Sequence, residues 1–323
     1  RDDMTALRVI PPDDYVGVVE RLPHIEQAVT ALVDGGLTYD LPVHPTDPGA
    51  QPSRDVYLDL TRQPSFGTVS GWSREEMMRV FADRGGDPDR PGKRTAFDPL
   101  LWRAARAGEP SWESARLGPG RPGWHIECTS IALDLLTTPF DIQGGGTDLV
   151  FPHHEMSAVQ AVALTGDGFA RGYVHQAMVG LDGQKMSKSR GNLVLVSRLL
   201  QEGVDPMAVR LALLAHHYRG EWQYTDDVMV DAQRRLECWR YAMSSERGGL
   251  ADATIDLVRE RLADDLDTPG ALAAVDAWSR QPPTDAPSGS GPAIGTEAAT
   301  GSTDPGAALA AAVDALLGVR VLS

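Results

Sequence analysis

The chain has 323 residues, room for about two domains, and its 42% hydrophobic and 23% charged residues exclude a wholly disordered or fibrous protein. No apolar run approaches the ~18 residues that span a bilayer, no secretory signal opens the sequence, and two cysteines cannot build a disulfide framework, so a reducing cytoplasm is expected. Thirty basic against 45 acidic side chains, a net charge of −15, disfavour broad binding to nucleic acid, which depends on neutralising phosphates. The chain opens at Arg1 without an initiator methionine, and a fragment or truncated product is expected.

Met4, Leu7 and Val9 begin a short helical pattern that Pro11-Pro12 breaks. Val16, Val19, Leu22, Ile25, Val29 and Leu32 predict a helix over 15–32. Residues 56–60 alternate like a strand. Ser73, with Glu76 three residues on, predicts a capped helix to Phe81. Residues 83–123 read as irregular structure around one apolar island, 99–102. An α/β pattern follows: a helix over 128–136, a strand at 140–142, a glycine run at 144–146, a helix from Pro152 and a strand at 177–180. After Asp205-Pro206, a cap with proline in the first turn, helices are predicted over 206–218, 225–243, 254–264 and 268–279, with Thr225 and Thr268 as caps. In 281–306, Pro, Gly, Ser and Thr make 17 of 26 residues, the composition of a flexible linker. A short helix over 307–317 closes the chain.

Lys185 and Lys188, with Met186 and Ser187 between them and Ser189 after, sit on a loop flanked by Gly183 and Gly191. Two ammonium groups so spaced suit a polyphosphate, above all as pyrophosphate leaves and charge moves onto it. For two lysines alone, a solvated basic loop is the plain alternative. Cys128 and His153, each near the start of a predicted helix, together suit Zn²⁺, which accepts thiolate and imidazole. Singly, such a Cys is more often core and such a His a satisfied polar residue. The glycine run allows close backbone approach to a ligand, and Asp148 at its end can receive an amine. Cys238, beside Trp239 in a helical stripe, is expected in the core.

The complete Lys-Met-Ser-Lys-Ser string, followed by Arg-Gly-Asn, resembles the signature loop of class I aminoacyl-tRNA synthetases. Gly-Trp-His-Ile-Glu-Cys at 123–128, Gly-Gly-Gly-Thr-Asp at 144–148 and Phe-Pro-His-His-Glu at 151–155 precede it. This order is similar to cysteinyl-tRNA synthetases and their relatives, the cysteine ligases of mycothiol biosynthesis, from 6–12 through 264–269. The resemblance implies an α/β chain: a connective insertion over 1–122, the second half of a Rossmann-type catalytic domain over 123–203, and a helical bundle over 204–280. The linker over 281–306 and a C-terminal helix over 307–323, packed on the bundle, complete it. The resemblance also implies one Zn²⁺ per subunit on Cys128 and His153, which selects cysteine by its thiolate, and Trp124 as a wall beside that cysteine. Gly146, Thr147 and Asp148 would contact the adenylate, and Val179 the adenine. Lys185, Met186, Ser187, Lys188 and Ser189 would form the ATP loop, with both lysines catalytic and Mg²⁺ accompanying ATP.

Three features favour the ligases over the synthetases. Ser157 stands one helical turn after His153, where the synthetases have a glutamate ligand. Asp83-Arg84-Gly85-Gly86-Asp87-Pro88 resembles a Glu-Arg-Gly-Gly-Asp-Pro element of the ligases. Only 134 residues follow Ser189, little room for an anticodon-binding module. The implied protein is an ATP-dependent, AMP-forming carbon–nitrogen ligase. It would join cysteine, through cysteinyl-adenylate, to the amine of glucosaminyl-inositol, as a cytoplasmic monomer that uses neither tRNA nor a membrane. Cysteinyl-tRNA synthetase and a non-catalytic truncated paralogue are the alternatives. The family's first Rossmann half, with its remaining zinc cysteine and HIGH sequence, is absent from these residues, so the isolated chain is expected to be inactive.

Overall fold

The computed structural model describes residues 1–43, 54–186, 191–245, 251–282 and 304–322. Two compact units result: Asp13–Gln176, and Arg1–Pro12 with Ala177–Ser323. Residues 1–12 therefore group with the C-terminal unit and not with the rest of the expected 1–122 region, and the division falls inside the expected 123–203 segment. Helix α1 (Asp2–Ala6) explains the first point. Leu7 after it is buried in the C-terminal unit's core, and its carbonyl accepts from Arg210 Nη1 at 2.8 Å.

In Asp13–Gln176, helix α2 (Leu22–Asp34) begins later than its periodicity suggests. Pro23 fills the first turn, where a missing N–H costs nothing, and Val19–Arg21 forms a short 3₁₀ turn ahead of it. Strands β1 (Thr38–Pro42), β2 (Arg54–Leu58), β3 (Leu100–Ala104) and β4 (Gly120–Pro122) form an antiparallel sheet in that order. The region expected to be irregular thus holds two strands, and the apolar island is one of them, with Leu101 and Trp102 buried. Helix α3 (Arg74–Phe81) lies between β2 and β3. Its capping box forms as expected: Glu76 N–H donates to Ser73 Oγ at 3.3 Å, and Ser73 N–H to the Glu76 carboxylate at 2.8 Å. Helix α4 (Trp124–Leu135), β5 (Phe140–Gly146), α5 (Glu155–Thr165) and β6 (Ala170–Gln176) follow. β5 and β6 pair in parallel, which the crossover through α5 allows. Phe81, Phe97 and Phe151 meet at 5.4–5.8 Å in a core closed by Ile25, Leu58, Trp102 and Met156.

In the C-terminal unit, β7 (Val179–Leu181) lies between β8 (Gln184–Lys185), antiparallel, and β9 (Trp222–Tyr224), parallel. The helices are α6 (Val196–Gln201), α7 (Pro206–Leu214), α8 (Asp226–Met243), α9 (Ala251–Ala263), α10 (Thr268–Ser279) and α11 (Pro305–Leu317). The Asp205 carboxylate caps α7 by accepting Met207 N–H at 2.8 Å. Asp267, rather than Thr268, caps α10 through Gly270 N–H at 2.9 Å. Leu211, Leu236, Leu272, Val275, Leu309 and Val313 build the core. Cys238 is exposed, against expectation. Its neighbour Trp239 takes the stripe inward and donates its indole N–H to Asp276 at 2.8 Å. Most of the expected linker lies outside the described residues. No helix among the described residues is long and apolar enough to cross a membrane.

Candidate active site

Helix α4 starts where β4 ends. Gly123 is its N-cap residue, and its N–H donates to Leu101 O at 2.9 Å. A Cβ at this position would run into the Leu100 carbonyl of β3, which cannot yield without breaking the sheet. Glycine therefore lets the helix leave the sheet at close quarters. The start of the helix that carries Trp124, His125 and, one turn on, Cys128 is thereby tied to β3.

His153 belongs to the turn Val150–His154, just ahead of α5. Trp124 stacks on it, with ring centroids 4.5 Å apart and 25° between planes. His125, buried, meets it Nδ1 to Nδ1 at 3.0 Å, so one ring donates and the other accepts. Burial, with the neighbouring His153, pushes His125 down to about 3, and burial lowers His153 as well. Both rings are neutral near pH 7. With its Nδ1 engaged, His153 has Nε2 left for a ligand. Burial, then the charge of Glu127, pushes the half-buried Cys128 thiol above its ordinary value. Glu127 is itself pushed up to about 7 by burial, which Arg121 opposes.

A neutral imidazole and a thiol that ionises on binding are donor types suited to a soft metal. In that respect Cys128 and His153 fit zinc. Among the described residues, no group of three or more His, Cys, Asp or Glu side chains gathers to hold a metal. Ser157, on α5, is fully buried, and its hydroxyl has no hydrogen-bond partner among the described residues.

A second imidazole pair adjoins the first. His154 Nδ1 lies 2.8 Å from His175 Nε2 on β6. Burial, then His175 and His153, pushes His154 down to about 4, and burial lowers His175. A Cβ on Gly145 would lie 2.9 Å from the His154 ring, so the glycine run makes room here for a side chain of the same unit. The fully buried Glu155 carboxylate accepts the backbone N–H groups of Gly67 at 2.8 Å, Val69 at 3.2 Å and Ser70 at 2.7 Å. His125, His154, His175 and Glu155 are not among the candidates drawn from the sequence. The Phe-Pro-His-His-Glu run was a usable signal for His154 and Glu155.

Gly146 ends β5, and Thr147 and Asp148 enter the turn Thr147–Leu149, in the same unit as Trp124, Cys128 and His153. Val179 opens β7 and Lys185 closes β8 in the other unit, with Met186 next along the chain. Ser187, Lys188 and Ser189 lie outside the described residues.

Residues 1–234 match the family model described as the class I (C) tRNA synthetase catalytic domain. The chain belongs to that family. A protein of Kytococcus sedentarius named L-cysteine:1D-myo-inositol 2-amino-2-deoxy-alpha-D-glucopyranoside ligase is 58% identical over 291 residues, 86% of this chain and 66% of the relative. A Streptomyces griseus protein of the same name is 54% identical over 324 residues, 99% of this chain and 73% of the relative. The chain thus spans about two thirds to three quarters of the length of these curated relatives. Its structure is similar to Mycobacterium tuberculosis methionyl-tRNA synthetase in complex with methionyl-adenylate, with a TM-score of 0.54 and 15% identity over 86% of this chain and 66% of that one. At that identity the likeness is one of fold alone. The fold is the α/β fold of class I synthetase catalytic domains.

Proposed function

We propose that this chain belongs to an ATP-dependent ligase that makes cysteinyl-adenylate and transfers cysteine to the amine of glucosaminyl-inositol in mycothiol biosynthesis. The observation that carries the reading is the 58% and 54% identity to two relatives named as this ligase. In the first step the cysteine carboxylate attacks the α-phosphate of ATP and pyrophosphate departs. In the second, the amine attacks the adenylate carbonyl, an amide forms, AMP leaves and the amine loses a proton. The ATP loop at 185–189 serves the first step, with the lysine ammonium groups meeting charge on the departing pyrophosphate.

Cys128 and His153 would hold Zn²⁺, which when bound offers a soft position for the substrate thiolate. The stack on Trp124 and the bond to His125 orient the His153 ring for that role. The buried Ser157 hydroxyl puts no carboxylate at the place the tRNA synthetases use, which supports an open position for sulfur. Gly146, Thr147 and Asp148 would contact the adenylate, and Val179 the adenine. ATP with Mg²⁺, cysteine and the amino-sugar are the proposed small-molecule partners, in a monomeric cytoplasmic enzyme. The test supplies full-length protein with ATP and cysteine, then either glucosaminyl-inositol or tRNA. Amide formation with stoichiometric AMP is expected. Charging of tRNA in its place would establish a cysteinyl-tRNA synthetase, and turnover of neither acceptor a non-catalytic paralogue.

A further inference from the structure

Asp13–Gln176 contains a cavity of about 560 Å³, within the ~300–1,000 Å³ range of small-molecule sites. The 85–90 loop lines it together with Arg103 of β3 and the start of α4, Trp124 and His125. The loop is built for this place. Gly85 takes a left-handed φ of 87°, and a Cβ on Gly86 would lie 2.6 Å from the Phe81 ring. Arg84 donates to the Phe151 carbonyl at 2.5 Å, which ties the loop to the turn that bears His153.

Charged side chains and an apolar wall of Phe81, Pro99 and Leu100 line the cavity together, and most of its charge is already committed. Asp55 pairs with Arg90 at 2.7 Å and Arg106 at 3.1 Å, and Asp87 with Lys93 at 2.7 Å. Asp98 accepts from Tyr39 and Thr95. These contacts hold the walls. Asp89 and Arg103 are the least committed of the charged groups that line it. Asp89 is exposed and makes no hydrogen bond or ion pair among the described residues. Arg103 carries five N–H donors and one ion pair, to Glu109 at 3.3 Å. A carboxylate only accepts and a guanidinium only donates, so together they match groups that do both: the hydroxyls of a polyol. A carboxylate also receives an ammonium. A polyanion would face the cavity's aspartates, and a wholly apolar ligand would leave Asp89 and Arg103 unmatched, whereas a polyol ring carries C–H faces for the apolar wall as well as hydroxyls. Trp124, 51% exposed, lines this cavity and also stacks on His153. An occupant therefore sits beside the proposed cysteine site.

We infer that this cavity binds the acceptor substrate, a polyhydroxylated primary amine, with Asp89 and Arg103 as specificity-determining residues. The inference rests on the reaction proposed above and adds its second substrate site. The test introduces Asp89→Asn and Arg103→Gln separately into full-length protein. Each should raise the acceptor KM at least tenfold, while cysteine-dependent ATP–pyrophosphate exchange, which involves no acceptor, moves less than twofold. An unchanged acceptor KM in both variants overturns the assignment, and so does an equal loss of exchange. Saturation-transfer NMR with methyl glucosaminide reads the cavity without turnover. Signals from wild-type protein that both variants abolish support the site, and absent or unaltered signals refute it. Wild-type protein that shows these signals but forms no amide would leave the site standing and overturn the proposed reaction instead.

Discussion

Replacing Glu155 with Gln should loosen one loop by a predictable amount. One carboxylate oxygen takes Gly67 N–H, and the other takes Val69 and Ser70 N–H. A glutamine amide of nearly the same shape has a single acceptor oxygen. Its better orientation places that oxygen on Val69 and Ser70 and turns the amide NH₂ against Gly67 N–H. One charge-assisted bond is then lost, at about 1.5–3 kcal/mol, and the other two weaken with the charge. The expected cost is about 3 kcal/mol, and Glu155→Ala, which strands all three donors, should cost more. Amide hydrogen exchange is the assay. Protection at residues 67, 69 and 70 should fall by about two orders of magnitude, while β5 and β6 keep theirs. A Gln variant within about 0.5 kcal/mol of wild type, or uniform loss of protection across Asp13–Gln176, would refute the reasoning.

Cys128→Ser or His153→Ala in full-length protein should abolish bound zinc in metal analysis, and undiminished zinc in both would remove them as ligands. Lys188→Ala should slow ATP–pyrophosphate exchange by about two orders of magnitude, the value of ~3 kcal/mol in a transition state. Transfer from synthetic cysteinyl-adenylate should survive, and equal losses in both steps would end the role assigned to the loop. Hydrogen bonds from Arg219, then Tyr218, hold Asp265 down from 3.8 to about 2. Its contribution to stability is therefore complete above its unfolded value and lost as pH falls through about 2. Asp265→Asn should flatten that part of the acid-unfolding curve, and a carboxyl NMR midpoint near 4 would contradict it.

The elements legible in the sequence are those whose residues carry their own signal. Ser73 with Glu76, and Asp205 with Pro206, mark helix starts because capping is local chemistry. The stripes of α8 and α10 are legible because one face of each is buried. The missed strands have no such mark. β1 buries Leu41 but ends in Pro42, and β4 is Gly120-Arg121-Pro122, with no large apolar side chain. β4 exists because it pairs with Trp102–Ala104, a fact of tertiary structure and not of strand propensity. Cys238 shows the opposite failure: its stripe is real, but Trp239 occupies the buried side.

The motif strings gave the site's residue types, while its organisation depends on distant partners. Residues 153, 154 and 155 are consecutive, yet each meets a different part of the unit: His153 meets α4, His154 meets β6, and Glu155 meets the 67–70 loop. Successive side chains on a helical turn fan out by ~100°, so three neighbours at the head of α5 can face three directions. No spacing rule announces this, because the partners stand between 21 and 88 residues away. The arrangement has a mechanical consequence. Anything that displaces the head of α5 disturbs both imidazole pairs and the loop together. The polar groups are buried, so each must keep its partner or incur the cost of a stranded donor or acceptor. The candidate ligand His153 is thus held by Trp124 and His125 directly, and through its chain neighbours by β6 and the 67–70 loop. The neighbours' contacts fix the backbone that carries the ring, while the stack and the hydrogen bond orient the ring itself.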